Sequence, residues 1–135
     1  MGAIFNDELK RLRGHFMEMG IDASEQIYQA TKAFTESDTV LAEQVLKTDP
    51  KINDEEINLE KEALKLMALQ QPVASDFRKI ISILKASSDI ERLGDYASHI
   101  ARAAIHLSDR EHNEEIEEQI EKMMMIVREM LERVL

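Results

Sequence analysis

The sequence predicts an all-α protein: an antiparallel three-helix bundle of long helices with a fourth helix appended. Three observations carry that prediction. Apolar residues recur at steps of three and four over runs far longer than a strand. Only 4 Gly and 2 Pro punctuate 135 residues, so the elements must be few and long. The apolar share of 44% suffices for a core, and with 0 Cys neither a disulfide framework nor a thiolate metal site is available.

The first helix is read from Phe5, Leu9, Leu12, Phe16, Met19, Ala23, Ile27, Ala30 and Phe34, which line one face. Ser37-Asp38 breaks the series and can cap a second helix through Leu41, Val45, Thr48, Ile52, Leu59, Ala63 and Leu66. Asp49-Pro50 falls inside it, where a missing backbone donor predicts a kink or a restart. Gln70-Gln71-Pro72 ends it, and a third helix begins near Ser75-Asp76. That helix carries Phe77, Ile80, Leu84, Ile90, Leu93, Ala97, Ile100, Ala104 and Leu107, and Ser108-Asp109 closes it. After a polar linker to Asn113, the fourth helix steps through Ile116, Ile120, Met123, Val127, Met130 and Val134. The first three helices, each of about 30 residues, would be about 45 Å long and pack up-down-up. The fourth stops without a cap, and the expectation is a chain cut short of its natural continuation.

Charge narrows the partners. Lys+Arg 17 against Asp+Glu 27 gives a net charge of −10, which repels nucleic acid and anionic membrane surfaces. Cations, or basic patches on another protein, are favoured instead. No apolar leader and no membrane-spanning stretch is present, so the expected location is cytoplasmic without direct membrane insertion. No phosphate-cradling glycine loop, nucleophile elbow or Cys–His pair occurs, and enzyme chemistry is not expected. Arg78 and Arg92 are assigned to ion pairs, and His99 and His106 to the polar border of the third helix.

The informative positions are those where the apolar pattern fails. Glu56 interrupts the second helix's series between Ile52 and Leu59, and Glu60 lies one turn on. On the third helix the series Phe77, Ile81, Leu84, Ser88 continues into Glu91 and Asp95, again four apart. Carboxylates so spaced share a face with Cβ atoms about 6 Å apart, and they repel. Protonation, a basic partner or a bound cation relieves the repulsion. Among 27 acidic residues such pairs also arise by chance; Glu114/Glu118 and Glu117/Glu121 read as a solvated face. With a hairpin turning near Pro72, position 56 comes level with about position 89, within one turn of Glu91. An all-carboxylate set would select hard cations such as iron, manganese, magnesium or calcium. Di-iron carboxylate bundles need Glu-x-x-His, and the residues three before His15, His99, His106 and His112 are Leu12, Tyr96, Ala103 and Asp109. Asp49 to Glu60 has the span of an EF-hand loop, but Lys51 and Asp54 occupy its ligand and glycine positions.

The stretch from Asp49 to Ala101 resembles the PhoU family of phosphate-signalling proteins. The resemblance rests on Asp49, Ile52 and Asn53, on the turn Gln71-Pro72-Val73-Ala74-Ser75-Asp76-x-Arg78, and on Glu91-Arg92-x-Gly94-Asp95. It extends more weakly to Met19-Gly20 and into the fourth helix. It implies two similar three-helix bundles, of which this chain would hold the first, residues 1–108, and then a linker and the first helix of a truncated second repeat, 109–135. It also implies a metal motif of Glu or Asp followed four residues later by Asp, holding an iron cluster or another metal such as Mn, Mg or Zn. Glu91/Asp95 matches that motif in full; Glu56/Glu60 matches with Glu in the last place. The implied role is negative regulation of phosphate uptake, linking the phosphate-specific ABC transporter ATPase to a sensor histidine kinase. The alternatives are a carboxylate-bridged di-iron oxidase and a metal-free acidic interaction bundle. An orphan fourth helix would expose its apolar stripe, so a homo-oligomer or helix exchange is expected.

Overall fold

The computed structural model describes residues 2–107 and 114–134. Four α-helices follow one another: α1 (Gly2–Thr35), α2 (Thr39–Gln70), α3 (Ala74–His106) and α4 (Glu114–Val134). The expected linker, with Ser108, Asp109 and His112, lies outside the described residues.

Local chemistry explains the joints. α1 ends in a Schellman motif: the Asp38 N–H donates to the Ala33 carbonyl (2.9 Å) and the Ser37 N–H to that of Phe34 (3.4 Å). Ser37 takes the left-handed conformation this requires, φ 52°. Asp38 then caps α2, its carboxylate accepting from the Leu41 N–H at 3.0 Å, as the sequence leads one to expect. α2 runs unbroken through Pro50, so the expected restart does not occur. Leu46 loses its helical donor there, but Ile52 and Val45 are both buried, and packing on either side holds one axis. Gln71, at φ 43°, and Pro72 end α2. α3 starts at Ala74, slightly before the Ser75-Asp76 position read from the sequence, with Val73 as a cap that makes no side-chain hydrogen bond.

α1 is the hub, packing against each of the other three helices, while α2 also packs on α3. Its predicted stripe is its core face: Leu12, Met19, Ala23 and Ala30 have no exposed surface. The core has two parts. One end is built from large side chains, including Phe5, Phe16, Leu59, Ile80 and Ile90. The other is lined by Ala30, Ala33, Ala42, Ala97, Ala101 and Ala104, small enough for the helix backbones to approach closely. Gly94 lies at the waist; a Cβ there would sit 3.4 Å from the Gln26 side chain and 3.5 Å from Ile52.

Core assignments fail at the two ends of α3 and along α4. Phe77 and Leu107 are 44% and 45% exposed, because they lie at the two ends of α3 where the neighbouring helices stop covering it. On α4 the buried side chain is Leu131, and Met123 and Met130 stand open at 60% and 61%. Among the described residues α4 runs antiparallel to α1, the one helix whose backbone it approaches closely, and packs a strip of Met124, Val127 and Leu131 against the core.

Polar contacts also tie α4 to α1. Arg128 donates to the Ser24 hydroxyl (2.9 Å), pairs with Glu25 (3.6 Å) and Glu132 (3.4 Å), and lies 4.8 Å from the Tyr28 ring centre. Among the described residues no helix is long and apolar enough to cross a membrane.

Candidate metal centre

The α2–α3 hairpin brings the sequence-predicted carboxylates to one seam. Glu56 and Glu91 are half-buried between the helices, and Glu60 and Asp95 are more exposed at its edge. The charges feel one another across the seam. Burial holds the Glu56 carboxyl above its usual range, and Glu60 and Asp95 add to the rise. Burial likewise raises Glu91, reinforced by Asp95, by Glu56 and by Asp49. The arrangement is therefore a chain of repulsion in which Glu56 faces both acids of α3. Asp49, which the sequence reading used as a helix breaker beside Pro50, joins it.

Glu60 is coupled to Glu56 within α2. A narrow cleft of about 220 Å³ beside them is walled by Leu84, Ser87 and Ser88 of α3. Ser87 is buried and spends its hydroxyl on the Leu84 carbonyl at 2.8 Å. Among the described residues no three carboxylates or imidazoles converge as they stand on a point where one ion could sit. The donor set nonetheless suits a hard cation: oxygen ligands only, mutually repelling and half-exposed, with room to rotate. Ligation would require that rotation.

A second acidic group lies on the other side of α2, and the sequence reading missed it. Lys51 pairs with Asp22 of α1 at 3.2 Å, and His15 Nδ1 lies 2.6 Å from Glu62. Glu55 is pushed up to about 7, first by burial and then by the neighbouring Asp22 carboxylate, and its Oε1 is buried with no hydrogen-bond partner among the described residues. The run Asp54-Glu55-Glu56 held the available signal. Successive residues are about 100° apart around a helix, so Glu55 can face α1 while Glu56 faces α3. Which acid faces which neighbour depends on the packing of α1.

The expected ion pairs of Arg78 and Arg92 do not form among the described residues. Both side chains are exposed. His99 and His106 are exposed, as expected at a polar border.

Fold and seam together define a class: an all-α bundle whose facing helices each contribute a pair of carboxylates. Comparison with known proteins narrows the class. The PhoU domain pattern matches residues 16–104, and the chain belongs to the PhoU family. It is 45% identical over 105 residues to the phosphate-specific transport system accessory protein PhoU homolog of Pseudomonas putida, covering 78% of this chain and 41% of that one. With the homolog of the same name in Clostridium acetobutylicum it shares 37% over 116 residues, 85% of this chain and 53% of the other. The crystal structure of PhoU from Pseudomonas aeruginosa superposes with a TM-score of 0.89 at 38% identity, over 95% of this chain and 61% of that one. The phosphate transport system regulatory protein PhoU of Streptococcus pneumoniae gives 0.86 at 33% identity, over 94% and 59%. The chain thus spans about half the length of the curated relatives it matches.

Proposed function

We propose that this chain is a helical regulatory element of phosphate-specific transport whose α2–α3 seam binds a hard metal ion or cluster through Glu56, Glu60, Glu91 and Asp95. The observation that carries the metal reading is the meeting of two i,i+4 carboxylate pairs across one helix–helix seam, with Glu56 and Glu91 both raised first by burial and then by the neighbouring carboxylates. An oxygen-only donor set suits manganese, magnesium or calcium, and the family resemblance adds iron as the first metal to test. A bound cation would neutralise the seam and lock α2 to α3, making the bundle a rigid docking body. In that form it would act without turnover, in the cytoplasm, as an adaptor between the phosphate transporter's ATPase and a sensor histidine kinase. Support for the transport assignment comes from relatives named as accessory proteins of the phosphate-specific transport system. Residues 109–135 would open a second helical unit.

One observation favours the metal-free acidic bundle instead: as they stand, no three ligands among the described residues share a point. Elemental analysis of the purified protein beside Glu91→Gln/Asp95→Asn separates the two. The metal reading expects near-stoichiometric metal in the wild type and its loss in the variant. A protein that takes up neither iron nor manganese on reconstitution refutes the site and leaves the transport role resting on kinship alone.

A further inference from the structure

Gln26 carries an amide from α1 into the middle of the bundle, with only 4% of its surface exposed. Its Nε2 donates to the Val45 carbonyl of α2 at 3.4 Å, and that carbonyl also accepts from the Thr48 hydroxyl at 2.9 Å. Its Oε1 is buried and accepts no hydrogen bond among the described residues. That oxygen faces α3, 3.4 Å from where a Cβ on Gly94 would stand, and Ile52 of α2 lies 3.5 Å from the same point. Val45, Ile52 and Gly94 are buried as well, in the core that α1, α2 and α3 share.

These contacts lie directly behind the carboxylate seam. In an α-helix the Val45 carbonyl is the acceptor for the Asp49 N–H, and the Asp49 charge reaches Glu91 across the seam. Gly94 immediately precedes Asp95, and Ile52 stands one turn before Glu56. One side chain of α1 therefore touches the segments of α2 and α3 that carry both walls of the seam. Packing alone does not call for an amide there. A buried oxygen without a donor lowers stability, and leucine would fill a similar volume without that cost. What glutamine adds is direction. Its donor end fixes one carbonyl of α2 at a set height along α1. Its oxygen end comes so near α3 that a Cβ at position 94 would already touch it. We propose that Gln26 is a positioning residue for the seam, setting the level and separation of Asp49 and Glu56 on α2 against Asp95 on α3. The consequence for metal affinity rests on the metal reading above; the hold on the two helices does not.

The chain has no cysteine, so nitroxide labels on Asn53→Cys and Arg92→Cys report the width of the seam by electron paramagnetic resonance. Both positions are exposed beside the seam, one on each helix. In chelator, Gln26→Leu should shift or broaden that distance while Tm stays at or above the parent value. In unlabelled protein the same substitution should weaken manganese binding by at least about tenfold, as loss of a group that orients metal ligands does. Thr31→Val removes another buried hydrogen bond of α1, from its hydroxyl to the Ile27 carbonyl. It should lower Tm and leave both distance and affinity unchanged. Gln26→Met gives the same comparison should Gln26→Leu alter the helical spectrum. A label distance that Gln26→Leu leaves unchanged overturns the proposal, whatever the metal does. So does unchanged manganese affinity where the wild type binds the metal, with or without a fall in Tm. A wild type that binds neither manganese nor iron overturns the metal reading instead, and a shifted label distance then still supports Gln26's hold on the two helices.

Discussion

Replacing Glu91 by Gln should have opposite effects with and without metal. In the metal-free protein Glu91 faces Asp95 one turn on, Glu56 across the seam and Asp49 beyond it, and all three raise its carboxyl together with burial. A like-charge pair at i,i+4 costs a few tenths of a kcal/mol, and the cross-seam pairs add comparable amounts at the screening of a half-exposed site. Removing the charge should therefore stabilise the bundle by about 1 kcal/mol at low salt. With unfolding entropy of about 2.1 cal/mol/K per residue, this corresponds to roughly 3–4 °C in Tm for a chain of this size. The sign with pH follows from the direction of the shift. The folded carboxyl lies above its unfolded value, so Glu91 leaves the fold unharmed in acid and destabilises it as pH rises through the folded pKa. The benefit of Gln should fade in acid and in high salt. With saturating manganese or iron, the wild type gains binding free energy, about 2.7 kcal/mol at a hundredfold excess over Kd, and the variant loses a ligand. The variant should then melt below wild type. Calorimetry in chelator and in metal reads both arms. Equal stabilisation in the two would refute a metal at the seam; destabilisation in chelator would refute the repulsion that the geometry implies.

The remaining predictions concern other joints. Glu55, raised to about 7 in the fold, holds a proton there that the unfolded chain releases near its ordinary value. Stability should therefore fall by about 1 kcal/mol, after discounting for its exposure, between about pH 5 and pH 8, and Glu55→Gln should flatten that slope in urea titrations. Ser37, at φ 52°, sits where the Schellman motif favours glycine, so Ser37→Gly should raise stability by about 0.5–1 kcal/mol by chemical denaturation. At Gly14 a Cβ would meet nothing within 4 Å, and Gly14→Ala should add about 0.5–1 kcal/mol from helix propensity alone. Arg128→Ala removes the contacts to Ser24, Glu25, Glu132 and Tyr28 that hold α4 on α1. Hydrogen exchange in α4 should quicken by about tenfold with little change in α2 or α3, since each such surface contact is worth about 0.2–1 kcal/mol.

Much of the candidate centre was legible because it lies on one hairpin. Glu56/Glu60 and Glu91/Asp95 stand out where a periodic apolar series fails, and a turn at Pro72 brings them level by counting rise alone. Asp49 was not legible as a member, because its neighbour Pro50 pointed to a break that packing on both sides suppresses. Glu55 was hidden for a different reason. Its partner Asp22 is on α1, and which of three consecutive acids meets α1 depends on the rotation of α2 about its own axis.

The sequence by itself determined the helices, their order, their caps at Asp38 and Gln71, and α1's buried stripe from Phe5 to Ala30. These depend on local hydrogen bonding and on a period of 3.6 residues, both set by neighbours in the chain. Tertiary structure alone decided which strip of α4 is covered. The predicted stripe runs through Met123, Val127 and Met130, whereas the strip that packs on the core is Met124, Val127 and Leu131, shifted by one residue on either side of Val127. Laid along α1 among the described residues, α4 buries Leu131 and leaves Met123 and Met130 open. Periodicity can say that a helix has an apolar side, but the contact that covers it fixes which residues that side includes.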